Sequence, residues 1–302
     1  MTQMTFISDT KEEALYEGPS FRHSYLSVNG VRLHLLEAGS GPLVILLHGF
    51  PENCYAWSGQ IPPLVKAGFR VVAPDLRGYH ASDKPKGIHA YRLDQLASDV
   101  EALILALGED SAYVVGHDWG GVIAWMVAMM FPERVRKLII INAPHPTRYL
   151  QMLWRTTQLL RSWYVFFFLC PYLPERIIKM NRCQRVRHLF MNDPIKSDVY
   201  SSDQIDLFIL GLSLPKALTS GLNYYRAGIL YGFKILSTRS RPIHVPTLII
   251  WGEKDRYLDI RLIDQLEPLL TSLTIQRFPD ASHWVIAEYP ERVSRAIIGF
   301  LA

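Results

Sequence analysis

The sequence predicts an α/β protein built on a mostly parallel, doubly wound sheet, with a helical segment inserted late in the chain. Three observations carry that expectation. Short apolar runs alternate with helical patterns through the first half, the alternation breaks at Pro144, and it resumes at Thr247.

After a polar leader to about Ser20, Phe21 to Val28 and Val31 to Glu37 read as strands joined at Asn29-Gly30, a strong hairpin signal. Leu43 to Leu47 is apolar throughout, as expected of a strand covered on both faces. A helical stretch then runs to Lys66, followed by a strand from Arg70 to Ala73, a helix from Leu93 to Leu107, a buried strand at Tyr113-Val114-Val115 and a helix from Val122 to Phe131. Lys137 to Ile141 is the last strand before the break. From Pro146 to Arg241 the chain is rich in aromatics and helical in period, punctuated by Pro171, Pro174, Pro194 and Pro215, so it reads as a helical cap. Residues 1–145 and 242–302 are then a core domain and 146–241 a cap domain. The core closes with a strand from Thr247 to Trp251, a helix near Ile263 to Leu270, a strand from Leu273 to Phe278 and a helix from Pro290.

With 302 residues, 49% hydrophobic and 20% charged, the chain can bury a substantial core. A formal charge of +4 is mild, and no arginine stripe alternates with aromatics, so nucleic acid is not an expected partner. Arg182, Arg185, Arg187 and His188 form the densest basic cluster, read as a solvated helix face. Cys54, Cys170 and Cys183 lack metal-ligand spacing and cannot all pair, which suits a reducing compartment. The start of the chain has no apolar signal region, and the run Trp163 to Cys170 is far shorter than the roughly 20 residues a bilayer requires. The expectation is a soluble cytoplasmic protein without a membrane span, monomeric or homodimeric.

Chemistry concentrates at Gly116-His117-Asp118-Trp119-Gly120, between a strand and a helix. Small residues on both sides allow a sharp turn that thrusts the central side chain above the sheet edge. In the related Gly-x-Ser-x-Gly turn that group is a serine, which attacks acyl carbon; a carboxylate there is suited to displacing a leaving group from alkyl carbon. Asp255 follows a later strand and His283 lies in the loop after the next one. Ligands of open parallel sheets bind at the carboxyl ends of the strands, so the three side chains can meet there as nucleophile, orienting acid and base.

His48-Gly49-Phe50-Pro51-Glu52, Asp75-Leu76-Arg77-Gly78-Tyr79, Gly116 to Gly121, Trp251-Gly252-Glu253-Lys254-Asp255 and Ala281-Ser282-His283-Trp284 stand in this order. In these motifs the chain resembles the α/β-hydrolase superfamily and, within it, the epoxide hydrolases and their dehalogenase relatives, from about Phe21 to the C-terminus. The resemblance implies that the Phe50 and Trp119 amides form an oxyanion hole, that the bond before Pro51 is cis, and that no metal or organic cofactor takes part. It also implies that Tyr164 and Tyr225 of the cap protonate the leaving oxygen. Tyr225 stands in Asn223-Tyr224-Tyr225-Arg226, similar to the family's Asn-aromatic-Tyr-Arg pattern.

The leaving group separates the alternatives. An epoxide oxygen leaves as a strong base and needs a proton donor, whereas a halide needs only N–H donors. Fluoroacetate dehalogenases need an arginine where Trp119 stands, and many haloalkane dehalogenases want asparagine where Phe50 stands. Phe50 and Tyr164 therefore carry the choice, toward hydrolysis of a hydrophobic epoxide to a diol. Trp57, Trp125, Trp163 and Phe167, with Phe50, Trp119, Phe166 and Phe168, are candidate walls of an apolar pocket. A non-catalytic receptor or scaffold is the reading from another class, and the intact Asp118, Asp255 and His283 argue against it. His80 stands where the family's loop usually has glycine, and Asp75 with Arg77 is expected to form a structural ion pair.

Overall fold

The computed structural model describes residues 5–6, 21–153, 156–239 and 241–302. The predicted polar leader lies outside the described residues. Among the described residues nine strands, β1 (Thr5–Phe6), β2 (Arg22–Val28), β3 (Val31–Ala38), β4 (Leu43–Leu47), β5 (Arg70–Pro74), β6 (Ala112–His117), β7 (Val135–Ile141), β8 (Thr247–Gly252) and β9 (Leu273–Phe278), form one sheet in the order β1-β2-β3-β5-β4-β6-β7-β8-β9. From β5 through β9 every neighbouring pair is parallel, while the β2–β3 hairpin and its contacts are antiparallel.

Alternation along the parallel strands divides the core. Leu43, Ile45 and Leu47 of β4, with Leu138 and Ile140 of β7, join one apolar cluster. Val44 and Leu46, with Ile139 and Ile141, join the other. Both faces are therefore covered, which is what an uninterrupted apolar strand demands. The covering helices are α1 (Ile61–Lys66), α2 (Leu93–Ala106), α3 (Trp119–Met130), α10 (Val285–Glu288) and α11 (Pro290–Leu301). Between β7 and β8 the chain forms α4 (Pro146–Leu153), α5 (Thr156–Arg161), α6 (Trp163–Leu169), α7 (Leu173–Asn192), α8 (Ser202–Ser213) and α9 (Ala217–Arg239). No single described helix is long and apolar enough to cross a membrane.

Two elements differ from expectation. The helical stretch ending at Lys66 is split into a 3-10 turn at Cys54–Trp57 and α1, because Pro62 and Pro63 can begin a helix but not continue one. The helix near Ile263 to Leu270 does not form: only a 3-10 turn at Ile260–Ile263 precedes Gln265, at φ 56°, and Pro268. Leu262, Leu266 and Leu270 are nevertheless buried, so their four-residue spacing imitated a helical face.

The strand order reverses at β4, whose neighbours β5 and β6 are reached in opposite directions, and this switch point opens the crevice that holds the site. Its floor depends on close backbone approach. A Cβ on Gly116 would stand 2.3 Å from the Gly120 carbonyl oxygen, and one on Gly120 would stand 2.1 Å from that of Leu47. Gly120→Ala should therefore lower stability by about 3 kcal/mol or more. Gly299→Ala, on an exposed turn of α11 with nothing within 4 Å, should raise it by up to about 1 kcal/mol. Chemical denaturation of the two variants checks both signs.

Candidate active site

Five strand ends supply the site. β4 runs into Phe50, β6 into Asp118, β7 into Asn142 and β8 into the Asp255 turn, and the loop after β9 carries His283. Asp118 sits at φ 51° and ψ −122°, a backbone conformation that L residues rarely adopt, at the N-terminus of α3. That position places its carboxylate in the favourable end of the helix field. Gly49 gives it room, since a Cβ there would stand 2.5 Å from the Cβ of Asp118.

The Phe50 N–H donates to Asp118 Oδ1 at 2.9 Å, leaving Oδ2 facing His283 Nε2 at 3.6 Å. On its other side, His283 Nδ1 lies 2.7 Å from Asp255 Oδ2. Asp255 is buried, and it is held by the Asn142 side-chain amide at 2.7 Å and the Tyr257 and Leu258 backbone N–H groups at 2.7 and 2.9 Å. Burial alone would raise the Asp255 pKa, but the facing His283 and these donors outweigh it and hold the carboxyl below its ordinary value. For His283 the balance has the opposite sign. Burial would lower the imidazole, yet Asp255, Asp118 and Glu52 surround it and push its pKa up to about 9. Behind it, His117 Nε2 lies 2.9 Å from the His283 carbonyl oxygen, and His117 Nδ1 faces Glu52 Oε2 at 3.2 Å.

Two chambers meet at Asp118. One, of about 100 Å³, is walled by Trp119, Val122, Leu150, Val165, Ile229 and Leu258. The other, of about 210 Å³, is walled by Phe50, Trp163, Phe168, Leu189, Tyr257 and Trp284. Each far exceeds the roughly 10–15 Å³ that admits one water. Tyr164 and Tyr225 border both, their rings 6.0 Å apart. Burial, reinforced by the negative charge of Asp118, raises both phenols well above their ordinary pKa, so they stay protonated. Other tyrosines nearby are committed elsewhere: Tyr224 donates to the Arg77 carbonyl, Tyr200 to Glu52 and Tyr257 to Asp193.

Not every residue singled out from the sequence reaches this space. Phe50, Trp119 and Trp163 line it, but Trp57 and Trp125 are fully buried in the core. Trp57 belongs to the 3-10 turn packed on one sheet face, and Trp125, farther along α3, donates its indole N–H to the Ala143 carbonyl. Phe168 takes the place expected of Phe167, because it lies four positions after Tyr164 and so shares its helix face. The Phe50–Pro51 bond is cis. Among the described residues the Trp119 amide donates no hydrogen bond to Asp118, so of the two expected amides only that of Phe50 engages the carboxylate. Arg77 pairs with Asp99 at 2.6 Å rather than with Asp75, which instead accepts from His34 and His80. The reasoning from sequence missed Asn142 and Tyr257. Asn142 follows β7 directly, so the strand-end rule that located Asp118 and Asp255 would have found it as well.

A switch-point crevice, a strained turn presenting a carboxylate, and a histidine between two acids define an α/β hydrolase. A family model described as the alpha/beta hydrolase fold matches residues 42–164. The chain belongs to the epoxide hydrolase family of that fold. It is 36% identical to human epoxide hydrolase 4, over 92% of this chain and 78% of that protein. It is 38% identical to the AB hydrolase superfamily protein YfhM of Bacillus subtilis, over 92% and 96% of the two chains. The crystal structure of Bacillus megaterium epoxide hydrolase in complex with an inhibitor superposes with a TM-score of 0.85 at 32% identity, covering 92% of this chain and 99% of that one.

The raised His283 pKa has a consequence for stability. A free histidine titrates near 6.5, so between about pH 6.5 and 9 the folded chain holds a proton that the unfolded chain has released. Its contribution is complete below about 6.5 and is lost as pH rises through about 9. Denaturation midpoints of the wild type should fall over that window by more than those of His283→Gln; parallel curves would remove the assignment.

Proposed function

We propose that the chain hydrolyses a hydrophobic epoxide to a vicinal diol through an ester on Asp118. The observation that carries this reading is the pairing of a carboxylate oxygen 3.6 Å from an imidazole with two protonated tyrosines across the same space. The similarity to proteins named as epoxide hydrolases supports it. Residues 146–241 act as a cap that supplies both tyrosines.

In the first step Asp118 Oδ2, the oxygen not engaged by Phe50, bonds to a ring carbon as the carbon–oxygen bond breaks. The departing oxygen takes the proton of Tyr225 or Tyr164. With His283 entering as imidazolium, the tyrosine is reprotonated at its expense, so the step ends with a neutral ester, a neutral imidazole and an intact phenol. Loss of the Asp118 charge removes one of the groups that raise the His283 pKa, which prepares Nε2 to accept a proton.

In the second step His283 takes a proton from water, and the hydroxide adds to the carboxyl carbon of Asp118. The developing oxyanion forms on Oδ1, where the Phe50 N–H already points; the Trp119 amide is assigned as the second donor, one that engages only once charge builds there. Collapse expels the diol oxygen as alkoxide, which takes the new carboxyl proton. Asp118 returns as carboxylate and His283 as imidazolium, so protons and charges balance over the cycle.

Halide displacement uses the same first bond but needs no acid. No arginine or lysine lines either chamber among the described residues, so an anionic substrate such as fluoroacetate has no anchor. Apolar walls favour aryl or alkyl epoxides.

His283→Gln mixed with styrene oxide should accumulate protein heavier by one substrate molecule, with the added mass on the peptide containing Asp118. In oxygen-18 water a single turnover of the wild type should label Asp118; label confined to the diol would exclude the ester. Tyr225→Phe should slow ester formation by about 10²-fold while leaving ester hydrolysis nearly unchanged. Bromide release from 1-bromobutane outpacing diol formation would transfer the chain to halide chemistry.

A further inference from the structure

The charge of this chain is unevenly divided. Residues 146–241 carry fourteen lysines and arginines against five acids, a formal +9, in a chain whose total is +4; the core therefore carries −5. Of the five acids, Glu175 is held by Arg226 and Asp193 faces the core through Trp284 and Tyr257. Arg176 and Lys179 before the break at Met180–Cys183 that divides α7, Arg182 within it and Arg185 just after it are all exposed, and they form no ion pair among the described residues. A solvated helix face was the expectation for the last two, but it does not explain what stands beside them.

Large apolar side chains are exposed on neighbouring parts of the same insertion. Trp163 is 67% exposed and Phe166 shares its face of α6, Tyr172 is 85% exposed in the turn to α7, and Leu230 and Phe233 of α9 are 62% and 77% exposed. Arg226 of α9 reaches the Phe168 and Cys170 carbonyls, binding α9 to the α6–α7 turn. These residues therefore belong to adjoining elements. Exposed apolar groups clustered on one segment mark an interaction surface. Aromatic and aliphatic residues together with unpaired cations are the composition of helices that lie in a lipid interface.

We propose that the cap docks on an anionic lipid surface, its cations against the headgroups and Trp163, Leu230 and Phe233 in the acyl boundary. A net +9 opposes pairing with a second copy and complements a negative membrane. The chain lies on the bilayer rather than across it. Trp163 also walls the larger chamber beside Asp118 and His283, and Ile229, next to Leu230, walls the smaller one. The docked face thus contains both chamber margins, and an apolar molecule dissolved in the lipid reaches the site without crossing water. Docking itself does not depend on the reaction proposed above.

The test is co-sedimentation of the full chain with vesicles of phosphatidylcholine alone or with about three-tenths phosphatidylserine, at about 0.05 and 0.5 M salt. Binding is expected only with the anionic vesicles at low salt. Arg182→Glu with Arg185→Glu, and separately Leu230→Ser with Phe233→Ser, should each weaken it about tenfold or more. Hydrolysis of a soluble epoxide in buffer, or the far-ultraviolet spectrum if the chain proves to have another activity, should be unchanged and shows that the variants fold. Equal binding to neutral vesicles, no binding to either, or undiminished binding by the charge-reversed variant overturns the proposal. So does lipid-free self-association that Leu230→Ser with Phe233→Ser abolishes, since it gives the face to a second copy of the chain.

Discussion

Everything at this site depends on how closely the backbone after β6 approaches the backbone after β4. Gly120 lies against the Leu47 carbonyl and Gly116 against Gly120, with no space for a side chain at either. That contact forces the intervening residue into a left-handed conformation that only the surrounding packing sustains. The same contact brings the Phe50 amide within 2.9 Å of the carboxylate of Asp118, so the strain and the hydrogen bond have one origin. Relaxing the turn would free the backbone and at once separate the anion from its donor and its imidazole.

Around that anion, burial and charge are set against each other in a way that keeps each group in a useful form. Burial disfavours ions, and by itself would neutralise both His283 and Asp255. Placed 2.7 Å apart and supported by Asn142 and two backbone amides, they stay ionised together. At the phenols of Tyr164 and Tyr225 burial and the charge of Asp118 act in the same direction and keep them protonated. One apolar enclosure thus holds a cation, two anions and two neutral acids, sorted by which neighbour each was given.

Much of this was legible in the sequence because it rests on rules of period and position. The two-sided strand Leu43–Leu47, the glycine-flanked Asp118 and the strand-end placement of Asp255 and His283 follow from local pattern plus one topological rule. What was not legible depended on orientation. Trp57 and Trp125 have the size and polarity of pocket walls, and only helix phase shows that they point into the core. The apolar spacing of Leu262, Leu266 and Leu270 matched a helix that Pro268 prevents. The partner of Arg77 was misread because an adjacent acid in sequence, Asp75, is less accessible to it than Asp99 on α2.

The loop that holds Asp75 shows how a broken local rule is compensated. His80 occupies a position at φ 34°, in the region that glycine tolerates best, so its backbone is strained. Its ring lies 2.7 Å from Asp75 Oδ2, and His34 reaches the same oxygen at 2.7 Å while its other nitrogen meets His23 at 2.9 Å. Desolvation would raise the Asp75 pKa, but the two imidazoles hold it well below the ordinary carboxylate range. Because Asp75 also accepts the Cys54 N–H at 3.0 Å, the cluster ties the His80 loop to the segment that follows the Phe50 turn. A glycine at this position would relieve the backbone and remove one of the two imidazoles that offset burial of Asp75. The strain at His80 and the ionisation of Asp75 therefore sustain each other, and the Cys54 amide joins both to the segment that follows Phe50.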